Sequence, residues 1–366
     1  MILTANTKRN ILRVIPFGII WLVFGALFLW IEYAALDNQK NIADTAIQMK
    51  TDVVVFALIG ITFVGFLVGF IELIYLNRLF EKQSFLVKII SKFLIYSLFF
   101  VVVILITFPI AASLELNTSI FDNRVWNRYG AFFFSITNAS TIIQLSFSLL
   151  VSLLYAEISE NIGQNVLLNF FTGKYHKPVT ENRIFMFADM KSSTTIAEEL
   201  GHIKYFELLR SYYFDLSNAI VKNQGEVYQY IGDEIVISWK LKNGLKNNQC
   251  LHCFYDMKSD LKALKNKYLK KFGVFPDFKA ALHFGEVTTG EIGALKKEIF
   301  FTGDVLNTTA RIQGLCQDYG VDLLLSKTLM DRLYLNDTFT VEPMGKPQLK
   351  GKIDSLELVT TTFNRT

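Results

Sequence analysis

The chain has 366 residues, of which 51% are hydrophobic and 33 are phenylalanine, and its mean hydropathy is +0.32; an ordinary soluble domain is not this apolar, so a membrane class is expected. The net charge of +4 is mild and not gathered into a basic face, so no nucleic-acid partner is expected. Three cysteines do not make a disulfide framework and fit a reducing compartment.

The apolar residues concentrate before about residue 156. Four runs there, Val14–Ile31, Val53–Leu76, Ile89–Leu114 and Ala131–Tyr155, are each long enough to cross a hydrocarbon core as a helix, which takes about 20 residues. The first follows Lys8, Arg9 and Arg13 like a signal peptide, but its apolar run is too long for one, and it is read as a retained span. Lys8, Arg9, Arg13, Arg78, Lys82 and Lys88 fall on one side of the spans, and Lys40, Lys50, Arg124 and Arg128 on the other. That bias predicts a multi-pass cell (inner) membrane protein with its N-terminus and C-terminal half in the cytoplasm. Gly65 and Gly69 form a Gly-x-x-x-Gly pair that lets helices approach, a second copy being one possible partner. Asn138, Gln144 and the Ser/Thr residues of the fourth run are expected to face other helices. Glu32 and Glu72, near span ends, are expected to snorkel to the interface.

Beyond the spans, Ile158, Ile162 and Val166 recur at helical spacing before Gly173 and Pro178 punctuate, predicting a linker helix. The boundaries are therefore 1–156 for a four-helix transmembrane domain, 157–182 for the linker and 183–366 for a domain of mixed strands and helices. In that last part the pattern predicts a strand at Arg183–Ala188, a helix at Thr194–Lys222 interrupted near Gly201, and strands at Glu226–Ile231 and Ile235–Trp239 joined by a Gly232-Asp233-Glu234 turn. A lysine-rich helix at Leu245–Phe272, strands at Phe278–His283 and Ile299–Thr302, a helix at Val305–Cys316 and a strand at Ser355–Thr361 follow. The order β-α-β-β-α-β predicts an α+β ferredoxin-like sheet with helices on one face, after the α-helical membrane domain.

The chemistry gathers at a few positions. Asp189 ends the first strand and Asp233 sits in the hairpin turn, and in this topology those strand ends are neighbours, so the two carboxylates suit a hard cation such as Mg²⁺. Lys191, Ser192, Ser193 and Thr194 open a helix whose backbone N–H groups suit a phosphate. Asn307 and Arg311, four apart, share a helix face that suits an anionic transition state. Cys250-Leu-His-Cys253 lacks the second ligand pair of a structural zinc site and reads as two ordinary thiols on a helix.

Together these segments resemble the class III adenylate and guanylate cyclase domain. The matching pieces are Phe187-x-Asp189 with Thr194, Tyr230-Ile231-Gly232-Asp233, Ala281 to Val287 with Gly290 and Gly293, Gly303-Asp304 through Arg311, and Lys350-Gly351-Lys352. The resemblance implies a phosphorus-oxygen lyase that converts ATP, less readily GTP, to its 3′,5′-cyclic monophosphate and pyrophosphate for intracellular signalling. It implies two Mg²⁺ or Mn²⁺ ions per site on Asp189, Asp233 and the backbone of Met190, ribose orientation by Asn307, charge neutralisation by Arg311, and distal phosphates at Lys350 or Lys352. It also implies a homodimer, one protomer supplying the aspartates and the other the Asn/Arg pair. Base choice in the family falls on the positions held here by Gln229 and Phe300. Neither matches the usual residues, and a glutamine amide both donates and accepts. Ser192 stands where the phosphate loop commonly has glycine. A catalytically weak or inactive cyclase-like signalling or scaffold protein is the alternative. A diguanylate cyclase is disfavoured by the missing Gly-Gly-Asp/Glu-Glu-Phe hairpin, and a transporter by the lack of an internal repeat or midplane charge.

Overall fold

The computed structural model describes residues 5–35, 47–76, 79–80, 83–162, 164–335, 338–352 and 354–364. Of the basic residues used for orientation, Lys40, Arg78 and Lys82 lie outside this set. The chain divides into two compact units, Thr7–Leu168 and Asn169–Thr366.

The first unit is all helical: α1 (Ala5–Ala35), α2 (Thr51–Ile71), α3 (Phe85–Leu116), α4 (Asn123–Phe133) and α5 (Ile136–Ile162). The stretches Arg13–Ala35, Thr51–Leu76, Phe85–Leu116 and Ile136–Asn161 are long and apolar enough to cross a membrane. Their bundle is built on close approach. A Cβ placed on Gly65 would lie 2.6 Å from Trp21 Cβ, and one on Gly69 would lie 2.7 Å from Phe17 Cγ. The Gly-x-x-x-Gly pair is thus occupied by α1 of the same chain. Buried Trp21 donates its indole N–H to Ser152 Oγ of α5 at 2.9 Å, whereas Gln144 bonds Ser140 within α5 itself.

Glu72 does not snorkel. It opens a π-helical turn, Glu72–Leu76, that continues α2, and it is 1% exposed. It pairs there with Lys92 of α3, equally buried, while the Tyr96 hydroxyl lies 3.4 Å from it. A carboxylate held away from water needs an opposite charge, and the π turn aims it at one. Helix α4 is an element the hydropathy reading did not separate from the fourth span. Asp122 caps it, accepting from Arg124 N at 2.9 Å, and Val125 and Phe132 bury against Ile104, Phe108 and Ala112 of α3.

After α6 (Gln164–Thr172) the second unit forms an eight-stranded sheet: β1 (Val179–Met190), β2 (Glu226–Ile231), β3 (Glu234–Lys240), β4 (Phe278–Ile292), β5 (Glu298–Thr302), β6 (Leu323–Ser326), β7 (Phe339–Gly345) and β8 (Leu358–Phe363). The order is β2-β3-β1-β4-β6-β8-β7, with β5 pairing β4. Its first four strands, β2-β3-β1-β4, have the ferredoxin-like order. The helices are α7 (Ser193–Leu200), α8 (His202–Lys222), α9 (Gln249–Ala263), α10 (Lys265–Phe272) and α11 (Asp304–Gly314). Gly201, at φ +70°, separates α7 from α8 where the sequence predicted the interruption.

Strand β1 is central and buried from Arg183 to Ala188. Ile184, Met186 and Ala188 meet α8 and α9 on one face. Phe185 and Phe187 point to the other face, with Val305 of α11 and Phe301 of β5. Helices therefore cover both faces, because the apolar alternation of β1 needs a cover on each side. The thiols of Cys250 and Cys253 are fully buried in the first of these layers.

Candidate active site

The acidic centre forms at one end of the three central strands. β1 delivers Asp189 opposite Glu234 of β3 and Lys279 of β4. The β2–β3 turn delivers Asp233, held from behind by α8, whose Tyr213 hydroxyl donates to the Gly232 carbonyl at 2.8 Å. Burial first, and then the adjacent Asp233 carboxylate, raise the Asp189 carboxyl above its ordinary range; a hydrogen bond from Gln313 and the charge of Lys279 oppose this. Glu234 is pushed up to about 7 by burial and by the same two aspartates. Lys279 Nζ stands 3.9 Å from Asp189 Oδ2, at the outer edge of ion-pair distance. Such a donor set fits a divalent cation, which would relieve the repulsion. Among the described residues no third His, Cys, Asp or Glu joins it as a metal ligand, and Mg²⁺ is commonly held by one or two carboxylates plus substrate phosphates.

The loop after Asp189 leads into α7. Lys191 turns away: its Nζ pairs with Asp277 at 2.8 Å and Asp322 at 2.5 Å, and its N–H donates to the Asp277 carbonyl at 2.8 Å. These bonds pin the loop and leave Ser192, Ser193 and Thr194 at the helix start. Ser192 adopts φ +53°, ψ +31°, the left-handed conformation in which glycine is most at ease. Ser193 hydrogen-bonds Tyr205 of α8.

Asn307 and Arg311 lie on α11, Asn307 exposed and Arg311 half-buried. The guanidinium packs against the turn at Gly351 (φ +71°), where a Cβ would lie 3.4 Å from Arg311 Nη2. The turn that carries Lys350 and Lys352 is thereby brought to Arg311. Lys350 is exposed, whereas Lys352 pairs with Asp304 at the start of α11. The other side of α11 meets β1: Gln313, 7% exposed, donates from Nε2 to Asp189 Oδ2 at 3.2 Å. Sequence reading missed Gln313 and Tyr213, whose roles rest on contacts across 124 and 19 residues of chain.

Gln229 and Phe300 are both exposed. Their neighbours meet, Tyr228 against Phe301 with ring centroids 4.7 Å apart, so these residues of β2 and β5 touch although the two strands do not pair. His283 is half-buried and bonds Ser326 Oγ through Nδ1 at 2.8 Å; burial, then Lys352, lower its pKa to about 4.

Residues 175–363 match the family model of the adenylate and guanylate cyclase catalytic domain. Adenylate cyclase 2 of Rhizobium meliloti (strain 1021) is 33% identical over 205 residues, 56% of each chain. An adenylate cyclase of Anabaena cylindrica is 24% identical over 242 residues, 63% of this chain and 47% of the relative. The chain thus spans about half the length of these curated relatives. A solved bacterial light-regulated adenylyl cyclase shares the fold at TM-score 0.52 and 20% identity, over 63% of this chain and 66% of that one.

Proposed function

The chain belongs to the adenylate and guanylate cyclase catalytic-domain family, and on that premise we propose that it is a membrane-anchored nucleotidyl cyclase acting on ATP in preference to GTP. One observation carries this reading. Asp189 and Asp233 are close enough to raise the Asp189 carboxyl, and of the residues on α11 it is Gln313 that meets Asp189, while Arg311 lies against the turn at Gly351. At 100° per residue, Gln313 lies about 160° around the helix from Arg311 and about 120° from Asn307. Since Gln313 is the residue that touches Asp189, one chain holds both halves of a site without closing it on itself. Two copies close two equivalent sites, each with one protomer's aspartates and the other's Asn/Arg pair.

In each site Asp189, Asp233 and the Met190 backbone would hold two Mg²⁺ or Mn²⁺ ions. Bound there, such ions lower the pKa of the ribose 3′-hydroxyl and offset the charge of the leaving pyrophosphate. The amides at the start of α7, from Ser192 to Thr194, receive phosphate oxygens. Asn307 fixes the ribose so that its 3′-oxygen stands in line with the α-phosphorus. The 3′-oxygen attacks, its proton passes to solvent, a new P–O bond closes the ring, and the bond to pyrophosphate breaks. Arg311 donates to the α-phosphoryl oxygens as their charge grows. Lys350 reaches the distal phosphates, while Lys352, paired with Asp304, fixes the turn that presents it. Gln229 meets the edge of the base through an amide that serves either purine, and Phe300 offers a ring face.

The topology proposed is a multi-pass protein of the cell (inner) membrane with its N-terminus and catalytic unit in the cytoplasm, where the nucleotide is. The test is turnover by the purified full-length protein with Mn²⁺, ATP and GTP supplied separately, beside Asp233→Ala. Cyclic nucleotide from the wild-type protein and none from the variant is expected. An intact dimer that cyclises neither nucleotide would leave the chain as a cyclase-shaped scaffold.

A further inference from the structure

We propose that Gln313 is a positioning residue for Asp189 and that, through it, α11 makes the two sites of the dimer interdependent. This rests on the homodimeric cyclase reading above. Gln313 is more than nine-tenths buried, at the C-terminal end of α11. Its amide donates to Asp189 Oδ2 at 3.2 Å. A carboxylate that must present its oxygens to a cation needs its rotamer fixed, and a buried amide bonded to one oxygen fixes it while adding no charge.

The same helix carries Asn307 and Arg311 on its other side. In the dimer, α11 therefore touches its own chain's acidic pair through Gln313 and serves the partner's acidic pair through Asn307 and Arg311. Helix α11 is short, spanning Asp304–Gly314, and Val305 and Ile312 are buried in two separate apolar clusters. A short helix anchored at both ends is a rigid link between the groups it touches. A change in Asp189 geometry on metal loading in one site is thus carried to the nucleotide-binding face of the other.

The test uses the full-length dimer and two binding readouts, neither of which needs turnover. Mn²⁺ binding is followed by the electron paramagnetic resonance signal of the free ion, and 3′-deoxy-ATP binding is followed at a fixed sub-saturating Mn²⁺ concentration. Gln313→Met keeps the length of the side chain and its fit to a helix but removes the donor. Its Mn²⁺ half-saturation is expected to rise about tenfold, the scale seen when the support of a metal ligand is lost. Nucleotide binding is expected to depart from independent sites in the wild-type dimer and to become hyperbolic in the variant. Gln313→Asn, whose amide stops one methylene short of Asp189, should behave as the Met variant does and guards against a fault peculiar to the thioether. A melting temperature within a few degrees of wild type in both variants shows that the fold is intact.

Wild-type Mn²⁺ half-saturation in both variants overturns the positioning role. A hyperbolic nucleotide isotherm in the wild-type dimer overturns the coupling. Failure of the wild-type protein to bind Mn²⁺ at all overturns the acidic site itself, and with it the function proposed above, which separates that failure from a failure of Gln313 alone.

Discussion

Each of the two units brings a pair of ionisable side chains together, fully buried in one unit and partly buried in the other, and the two pairs are opposites. In the helical unit, Glu72 and Lys92 bring one negative and one positive charge together at 1% exposure each. In the sheet unit, Asp189 and Asp233 bring two carboxyls together, with the nearest cation on Asp189 3.9 Å away. The first pair is complete within the chain and serves packing. The second pairs like charges, which suits the metal site proposed for it. Burial of charge therefore marks a functional site only where the chain has left the charge uncompensated.

The largest test of this contrast is to remove charge from the incomplete pair. Asp189→Asn is expected to lower turnover at least about a thousandfold, equivalent to about 4 kcal/mol. In EDTA the same variant should melt higher than wild type, because repulsion between the carboxyls is gone; each kcal/mol relieved is worth about 2–4 °C. A variant that melts lower in EDTA would show that the pair is not strained.

Removing charge from the complete pair should act the other way. Glu72→Leu leaves Lys92 buried without a partner and is expected to destabilise the helical unit by about 3 kcal/mol. Glu72→Leu with Lys92→Leu should recover most of that loss. Thermal unfolding in detergent measures both, and equal melting of the single and double variants would contradict the pairing.

Acid should then separate the units by a different route. Because the folded-state pKa of His283 is depressed from 6.5 to about 4, its contribution is fully present above pH 6.5 and is lost as the pH falls from 6.5 toward 4. The loss should approach about 2–3 kcal/mol. His283→Asn, which can still bond Ser326, should flatten the melting temperature of the sheet unit over that window. An unchanged slope would place the histidine's contribution elsewhere. The smallest effect belongs to Ser192→Gly, which relaxes the left-handed backbone but frees the unfolded chain. The net change should be under about 1 kcal/mol, with turnover within about twofold of wild type.

The sequence showed the parts of the fold whose signal is local. The hairpin at Gly232-Asp233, the break at Gly201 and the four apolar runs all came from neighbouring residues. What it hid depended on distant partners. Strand β4 runs to Ile292, well past the expected end at His283, because Phe284 to Thr289 go on pairing with β1 and Thr288 to Ile292 pair with β5. Helix α4 carried a legible cap at Asp122, but its aromatic run merged with the span that follows. At the site, the acidic pair and the Asn/Arg face were legible because spacing alone brings them together. Gln313 was not, since only the packing of α11 against β1 gives it a role. Lys352 shared the promise of Lys350, and only the fold reveals that it is engaged by Asp304.

The burial of the cysteines has a practical consequence. All three lie in the sheet unit at positions 250, 253 and 316, none is in a disulfide, and each side chain is fully buried. Burial pushes the Cys250 and Cys316 thiols up to about 12, so almost no thiolate exists at neutral pH. The native protein should therefore resist alkylating reagents and mild oxidants, and a maleimide dye can react only when the sheet opens. Since the spans contain no cysteine, thiol labelling times the opening of the catalytic half alone, within one intact protein.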